Sequence, residues 1–252
     1  MKLITTIKIT EDEFSYQTTN QVFADGGESI ICHTETPKTL DKFFVEQATR
    51  KLIPMPDNKI SKVSLLYQIK PEQTIQPLAL IVKNGIIIGY RMHHPEHYKT
   101  LEKAKLTRKK KVRAIRQSQE VLERINSQDI TYADIKSDNI LVDERTGDII
   151  FCDMDNARVR CYPVDIKSRD TMRYYEIYGQ MDQTVDAYMH NLLTLQQLGY
   201  KDEIPEYYSD IILRLKRGPA PTGFKQTAIP ILESMTSPES FNGKYLAKHI
   251  KR

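Results

Sequence analysis

Asp134, Lys136 and Asn139 fall within one short polar stretch of this 252-residue chain, Tyr132-Ala133-Asp134-Ile135-Lys136-Ser137-Asp138-Asn139, and Asp153 closes the apolar run Ile149-Ile150-Phe151-Cys152. Together these four residues form the polar inventory for moving a phosphoryl group. That reaction needs the phosphates held, a divalent cation set against their charge, and the attacking hydroxyl oriented. Asp134 can accept the proton of an alcohol and Lys136 can sit against the transferring phosphate. Asn139 offers a neutral oxygen to a hard cation, and Asp153 supplies the carboxylate that Mg²⁺ prefers beside phosphate oxygens. Polar turns with such residues are common between helices and strands, so the weight of the reading rests on the elements around them.

Those elements are legible. Within 98–125, Val112, Ile115, Val121, Leu122 and Ile125 recur at helical spacing, which predicts an amphipathic helix before the polar stretch. After it, Ile140-Leu141-Val142 and Ile149-Ile150-Phe151 read as strands either side of a Thr146-Gly147-Asp148 turn. The front of the chain is mainly β. Strand-like runs lie at Lys2 to Thr10, at Val22-Phe23 entering Asp25-Gly26-Gly27, at Ile30 to His33 and at Thr39 to Phe44. Leu78 to Val82 and Ile86 to Met92 flank Asn84-Gly85, a strong hairpin signal. About five strands are expected. Residues 45–69 are ambiguous around Pro54 and Pro56, and an irregular stretch is expected to about Gln180, followed by helices near Val185 to Leu198 and Tyr207 to Leu215.

Composition narrows the class. With 37 basic against 33 acidic residues the net charge is only +4, which does not argue for a nucleic-acid protein. Three widely spaced cysteines, Cys32, Cys152 and Cys161, fit reduced thiols better than a disulfide framework and show no zinc-ligand spacing. The N-terminus runs into Glu11, Asp12 and Glu13 without an apolar signal region, and the longest apolar tract is too short for a bilayer, so a cytoplasmic protein with no membrane partner is expected. The run Lys103, Lys105, Arg108, Lys109, Lys110, Lys111, Arg113 and Arg116 could meet phosphate backbones, yet no aromatic residues interleave it. Its first reading is the solvated face of the helix, with nucleic-acid binding over 103–116 secondary.

With these residues in view, the chain resembles the eukaryotic-like Ser/Thr protein kinases, especially compact bacterial or phage-type members with a Gly-Gly-Glu glycine loop. Tyr132 to Asn139 is similar to their His-Arg-Asp-x-Lys-x-x-Asn catalytic loop, and Asp153-Met154-Asp155 to the Asp-Phe-Gly triplet. The resemblance implies an α+β, two-lobed protein-kinase-like fold. Residues 1–92 would form a nucleotide-binding lobe with a five-stranded antiparallel sheet, and 93–252 a mainly helical lobe carrying the catalytic loop. It implies Asp134 as catalytic base, Lys136 as phosphate contact, and Asn139 and Asp153 as Mg²⁺ ligands. Gly26 and Gly27 of Gly26-Gly27-Glu28 would cover the phosphates of ATP, and Lys42 of Leu40-Asp41-Lys42 would hold them, with Lys38 as fallback. Met92 would stand at the hinge beside adenine. Tyr175-Glu176 resembles the end of the activation segment, and Asp186 the head of a helix that braces the catalytic loop.

Four departures accompany the resemblance. Ala133 takes the place of an arginine that reads an activation-loop phosphate, so a switch at Thr171 or Ser168 is not expected to be obligatory. Asp155 replaces a glycine, no clear acidic partner for Lys42 is visible beyond Glu46, and the segment after Asp186 is short. The expectation is an ATP- and Mg²⁺-dependent enzyme acting on Ser/Thr hydroxyls of a protein substrate. A pseudokinase scaffold and a small-molecule kinase of the same fold are the alternatives.

Overall fold

The computed structural model describes the chain except residues 1–3, 166–168, 180, 200–207, 219–221, 236–240, 242 and 251–252. It is α+β and separates into two compact units, Met1–His97 and Tyr98–Arg252, so the boundary lies beyond the residue 92 expected from the sequence.

Unit 1 is a six-stranded sheet in the order β1-β5-β6-β4-β3-β2, formed by β1 (Thr5–Lys8), β2 (Val22–Asp25), β3 (Ser29–His33), β4 (Thr39–Phe44), β5 (Pro77–Lys83) and β6 (Ile86–His93). The expected five-stranded antiparallel sheet is corrected here. The sheet is mixed, because β1 pairs with β5 in parallel, Thr5 opposite Ala79 and Lys8 opposite Val82. A parallel neighbour requires a crossover rather than a hairpin, and no local signal announces that. The crossover includes α1 (Glu11–Asn20), opened by a capping box in which Glu13 N–H donates to Thr10 Oγ1 (3.2 Å) and Thr10 N–H to Glu13 Oε2 (2.7 Å). The second helix, α2 (Asp57–Ile69), starts after Pro56, where the missing N–H costs the helix nothing.

Strand alternation gives β4 two buried faces. On one, Leu40 and Phe44 join Leu80, Tyr90 and Met92, with Met55 and the α2 residue Val63, in an apolar cluster. On the other, Phe43 packs with Cys32 and Ile81 and meets Phe14 of α1 edge-on at 5.2 Å. Asp41 on that face is fully buried, where a lone carboxylate would be costly, and Arg91 grips it bidentately at 2.7 and 2.9 Å. Between β4 and β6 the backbones come so close that a Cβ on Gly89 would lie 2.0 Å from the Lys42 carbonyl.

Unit 2 is built on α3 (Arg108–Ser127) and α5 (Thr184–Gln197). Val112, Ile115, Val121, Leu122 and Ile125 are the buried stripe of α3, and a hydrogen bond between Ser118 and the buried His190 (2.8 Å) joins the two helices. Burial holds the His190 ring neutral, its pKa lowered to about 4. Three short strands, β7 (Tyr98–Thr100), β9 (Ile140–Asp143) and β10 (Ile149–Phe151), form one small antiparallel sheet. A second pairs β8 (Ile130–Thr131) with β11 (Arg158–Val159). Helix α4 (Arg169–Tyr178) occupies part of the stretch expected to be irregular, and α6 (Tyr208–Arg217) and α7 (Thr222–Ser234) complete the unit. No helix among the described residues is long and apolar enough to cross a membrane.

The basic run of α3 is partly spent inside the fold. Lys110 Nζ donates to the Glu144 carbonyl (2.7 Å), Arg113 pairs with Asp148, and Arg116 donates to the Ile250 carbonyl.

Candidate functional site

Residues 132–139 connect β8 to β9 and fold around the Asp134 carboxylate. Asp134 is 6% exposed. Its Oδ2 accepts from Asn139 Nδ2 at 2.7 Å and from Lys136 Nζ at 3.1 Å, and Asn139 Nδ2 also donates to the Asp134 carbonyl at 3.0 Å. Its Oδ1 is buried and has no hydrogen-bond partner among the described residues. One oxygen of the carboxylate is thus held from two sides while the other is left for an outside donor, an arrangement that burial makes costly unless a donor arrives.

Spacing accounts for the local geometry. A short 3₁₀ turn, Ser137–Asn139, follows Lys136 and swings Asn139 back over Asp134. The Asn139 amide nitrogen is committed to Asp134, which leaves its Oδ1 as the side chain's acceptor. The Asn139 main chain is tied to the next strand as well, since its carbonyl accepts from Cys152 N–H at 3.0 Å. Asp153 comes immediately after, in the left-handed region at φ 55°, ψ 39°. Asp tolerates that region better than most residues, and the conformation turns the chain sharply at the strand end.

The ring of Tyr132 is fully buried, packs edge-on against Phe151 at 5.0 Å, and its hydroxyl donates to the Cys152 carbonyl. Burial pushes this phenol well above its ordinary pKa, so it remains a donor. A tyrosine thereby ties the loop to the residue that precedes Asp153.

The loop's other anchor is Asp186, at the start of α5. Its buried carboxylate accepts the main-chain N–H groups of Tyr132 (3.0 Å) and Ala133 (2.7 Å) and the side-chain amide of Asn126 (2.7 Å). Desolvation raises its pKa to about 6 despite these bonds, which pull the other way. Ala133 is in the left-handed region at φ 58°. Its N–H is held by Asp186 and its carbonyl accepts from Thr171 Oγ1 at 2.6 Å, so the surroundings fix a conformation alanine alone disfavours. Thr171 is 1% exposed in α4, whereas Tyr175 and Glu176 of the same helix are exposed. Ser168 lies outside the described residues.

The remaining expected positions lie in unit 1. Gly26 and Gly27 form the turn between β2 and β3, where Gly26 N–H donates to the Ser29 carbonyl and Arg50 donates to both glycine carbonyls (2.8 and 3.1 Å). A Cβ at either glycine would meet only ordinary contacts, so the turn itself does not demand glycine. Lys42 is buried, its Nζ 5.9 Å from the Phe44 ring centre and 5.8 Å from that of Tyr90. Lys38 is exposed in a turn at φ 59°. Met92 is a core residue of β6 opposite Leu40, inside the sheet and not at the unit boundary. Glu46 is exposed in the turn after β4 and accepts from Thr49, so it does not stand on a helix facing Lys42.

Sequence reasoning missed Asn126, the Thr171 bond to Ala133, and two buried lysines of α2, Lys59 and Lys62. The last pair stands three residues apart on one side of a helix, but Pro54 and Pro56 obscured where the helix began. Among the described residues no three His, Cys, Asp or Glu side chains gather to hold a metal. Comparison of the sequence with models of known protein families and with curated proteins finds no match to either.

Proposed function

We propose that this chain is a protein-kinase-like phosphotransferase that moves a phosphoryl group from ATP to Ser/Thr hydroxyls of a protein substrate, with Mg²⁺ and without an obligatory activation-loop phosphorylation. The observation that carries the reading is the divided Asp134 carboxylate, with Oδ2 held by Lys136 and Asn139 and Oδ1 buried without a partner. In this reading Oδ1 accepts the hydrogen bond of the substrate hydroxyl, aims its lone pair, and takes its proton as the new O–P bond forms and the bond from the γ-phosphorus to the bridging oxygen breaks, releasing ADP. Lys136, half-exposed beside it, faces the transferring group and offsets its charge. Asn139 Oδ1 and the Asp153 carboxylate hold Mg²⁺, which when bound neutralises charge building on the phosphate oxygens. In unit 1, Gly26, Gly27, Lys42 and Met92 remain the proposed nucleotide contacts. For Met92 the proposed contact is with its main chain, since its side chain belongs to the core.

The absence of a phosphorylation switch is supported by Thr171 and Ala133. The Thr171 hydroxyl is buried and spent on the loop, and Ala133 offers no guanidinium to receive a phosphate.

A second reading, a nucleotide-binding scaffold without turnover, is favoured by one feature. Helix α2 has the sequence DNKISKVSLLYQI, whose only acid, Asp57, is exposed at its first turn, so α2 brings no carboxylate to orient Lys42. One experiment separates the readings. Purified protein is incubated with radiolabelled ATP and Mg²⁺, with and without a generic protein acceptor, beside Asp134→Asn and Asp153→Asn. Label in protein that is lost in both variants is the expected result. ATP binding with no transfer under any condition overturns the enzyme reading, and transfer only to added small alcohols replaces the protein substrate with a small molecule.

A further inference from the structure

The face of β4 that bears Asp41 and Phe43 is the one α1 meets, through Phe14 on Phe43 and Gln17 on Asp41. A cavity of about 320 Å³ opens there, entirely within unit 1. Ile7 of β1 and Ile9 beyond it give the cavity apolar wall, Thr34 and Thr36 line it from the turn between β3 and β4, and Gln17 and Arg91 supply its polar groups. The other charged side chains on it favour neither sign. Lys8 and Glu35 are both exposed and oppose one another, and Glu13 is spent on the capping box of α1.

Gln17 and Arg91 are set by the same buried carboxylate. Asp41 Oδ2 accepts from Arg91 Nη2 at 2.9 Å and from Gln17 Nε2 at 3.2 Å. A carboxylate only accepts, so the Gln17 amide has to turn its nitrogen to Asp41. That leaves Gln17 Oε1 buried with no hydrogen-bond partner among the described residues, a costly state for an acceptor unless a donor arrives. Two of the Arg91 N–H groups go to Asp41 and one reaches Thr36 Oγ1 at 3.3 Å, so each terminal nitrogen keeps one N–H without a partner among the described residues. Because Gln17 Nε2 and Arg91 Nη2 converge on one oxygen, the spare acceptor and the spare donor stand close together.

An acceptor beside a donor is matched by a ligand that presents N–H and C=O on one edge, as a primary carboxamide does. A carboxylate would set an oxygen against Gln17 Oε1. An ammonium has nothing to accept from Arg91, and the charge of Arg91 is already balanced by Asp41. The volume is at the small end of the range for small-molecule sites. We propose that this cavity binds a small uncharged ligand through a primary carboxamide, whose C=O accepts from Arg91 and whose N–H donates to Gln17 Oε1, with its apolar part against Ile7 and Ile9. The site is on the opposite face of β4 from Leu40 and Lys42 and needs nothing from the phosphotransfer reading.

The test is titration of the full chain with benzamide and with benzoate, its isosteric carboxylate, followed by two-dimensional ¹H–¹⁵N NMR, in which the Gln17 side-chain NH₂ reports directly. Benzamide is expected to bind the wild type with roughly millimolar affinity, the scale for a fragment of about nine heavy atoms. It should move the Gln17 side-chain signal and the amides of 34–36, and bind more tightly than benzoate by about fivefold. Gln17→Met removes the acceptor and keeps a stem of similar length, while Asp41 retains both bonds to Arg91, so the fold should hold. In that variant benzamide should weaken by roughly three- to tenfold, the value of one neutral hydrogen bond, and benzoate should not, so the preference narrows. A wild type that does not bind benzamide, that prefers benzoate, or that shows shifts only outside the cavity overturns the proposal without reference to the variant. Equal weakening of both ligands in Gln17→Met overturns it as well, since a general loss of the cavity acts on both alike.

Discussion

At the scale of single residues, Asp186 connects burial to the proposed activity. Its pKa is raised from the ordinary 3.8 to about 6, chiefly by desolvation, and its ionised form accepts the amides of Tyr132 and Ala133 that hold the Asp134 loop. As the pH falls through about 6 the group gains a proton and its grip on those amides weakens, so transfer should decline with a midpoint near pH 6. Stability runs the other way. A carboxyl whose folded pKa lies above its unfolded one favours folding when protonated; that contribution is fully present below the unfolded value and is lost as the pH rises through about 6. Relative to Asp186→Asn, the wild type should therefore gain unfolding free energy in urea titrations from pH 7 to pH 5 while losing single-turnover rate. A rate and a stability that fall together over that range would refute this assignment. Ala133 supplies a second test. Its left-handed conformation costs a non-glycine residue about 1–2 kcal/mol, and glycine pays back about half in entropy, so Ala133→Gly should stabilise the protein by up to about 1 kcal/mol in the same titrations.

At the scale of elements, the approach of β4 and β6 decides where Lys42 lies. A Cβ on Gly89 would come within 2.0 Å of the Lys42 carbonyl and 3.1 Å of Phe43 Cα, both main-chain atoms that cannot move aside singly. Gly89→Ala should therefore lower stability by about 1–3 kcal/mol, the usual cost of overpacking. Chemical denaturation of the variant checks this, and an unchanged midpoint would show that the strands part without penalty. These elements differed in how plainly they were written in the chain. The β5–β6 hairpin followed from Asn84-Gly85, where Asn84 takes φ 51° and Gly85 φ 81°, and α3 followed from its apolar spacing. Thr10 and Glu13 spell a capping box for helix α1, but the alternating run before them reads as a strand reaching Thr10 and hides the helix start. Helix α4 lay in a segment with no clear period, and the bond from its Thr171 to the Ala133 carbonyl joins residues 38 apart in the chain.

For the molecule as a whole, charge is distributed so that its densest run is partly absorbed. Arg113 pairs with Asp148, Lys110 and Arg116 donate to main-chain carbonyls, and the net charge is only +4. Binding of single- or double-stranded nucleic acid, followed by fluorescence anisotropy, is expected at low ionic strength and should fall away at physiological salt, since three of the run's eight cations are engaged within the protein and the rest would act through screened surface charge. Tight binding that resists salt would restore 103–116 as an interaction surface. What the sequence determined by itself was the grouping of polar residues in short spans. Asp134, Lys136 and Asn139 are near neighbours in the chain, and their mutual hydrogen bonds follow from a single turn. Tertiary structure decided what depended on distant pairing. It added β1 in parallel to the sheet, buried Asp186 beneath the loop it holds, placed Met92 in a core and left Glu46 at the surface. It also turned Lys59 and Lys62 of α2 toward the face of β4 that bears Lys42. The physical reason is range: a turn or a helical stripe is set by residues a few positions apart, whereas the burial of a charge is set by whatever the rest of the chain packs against it.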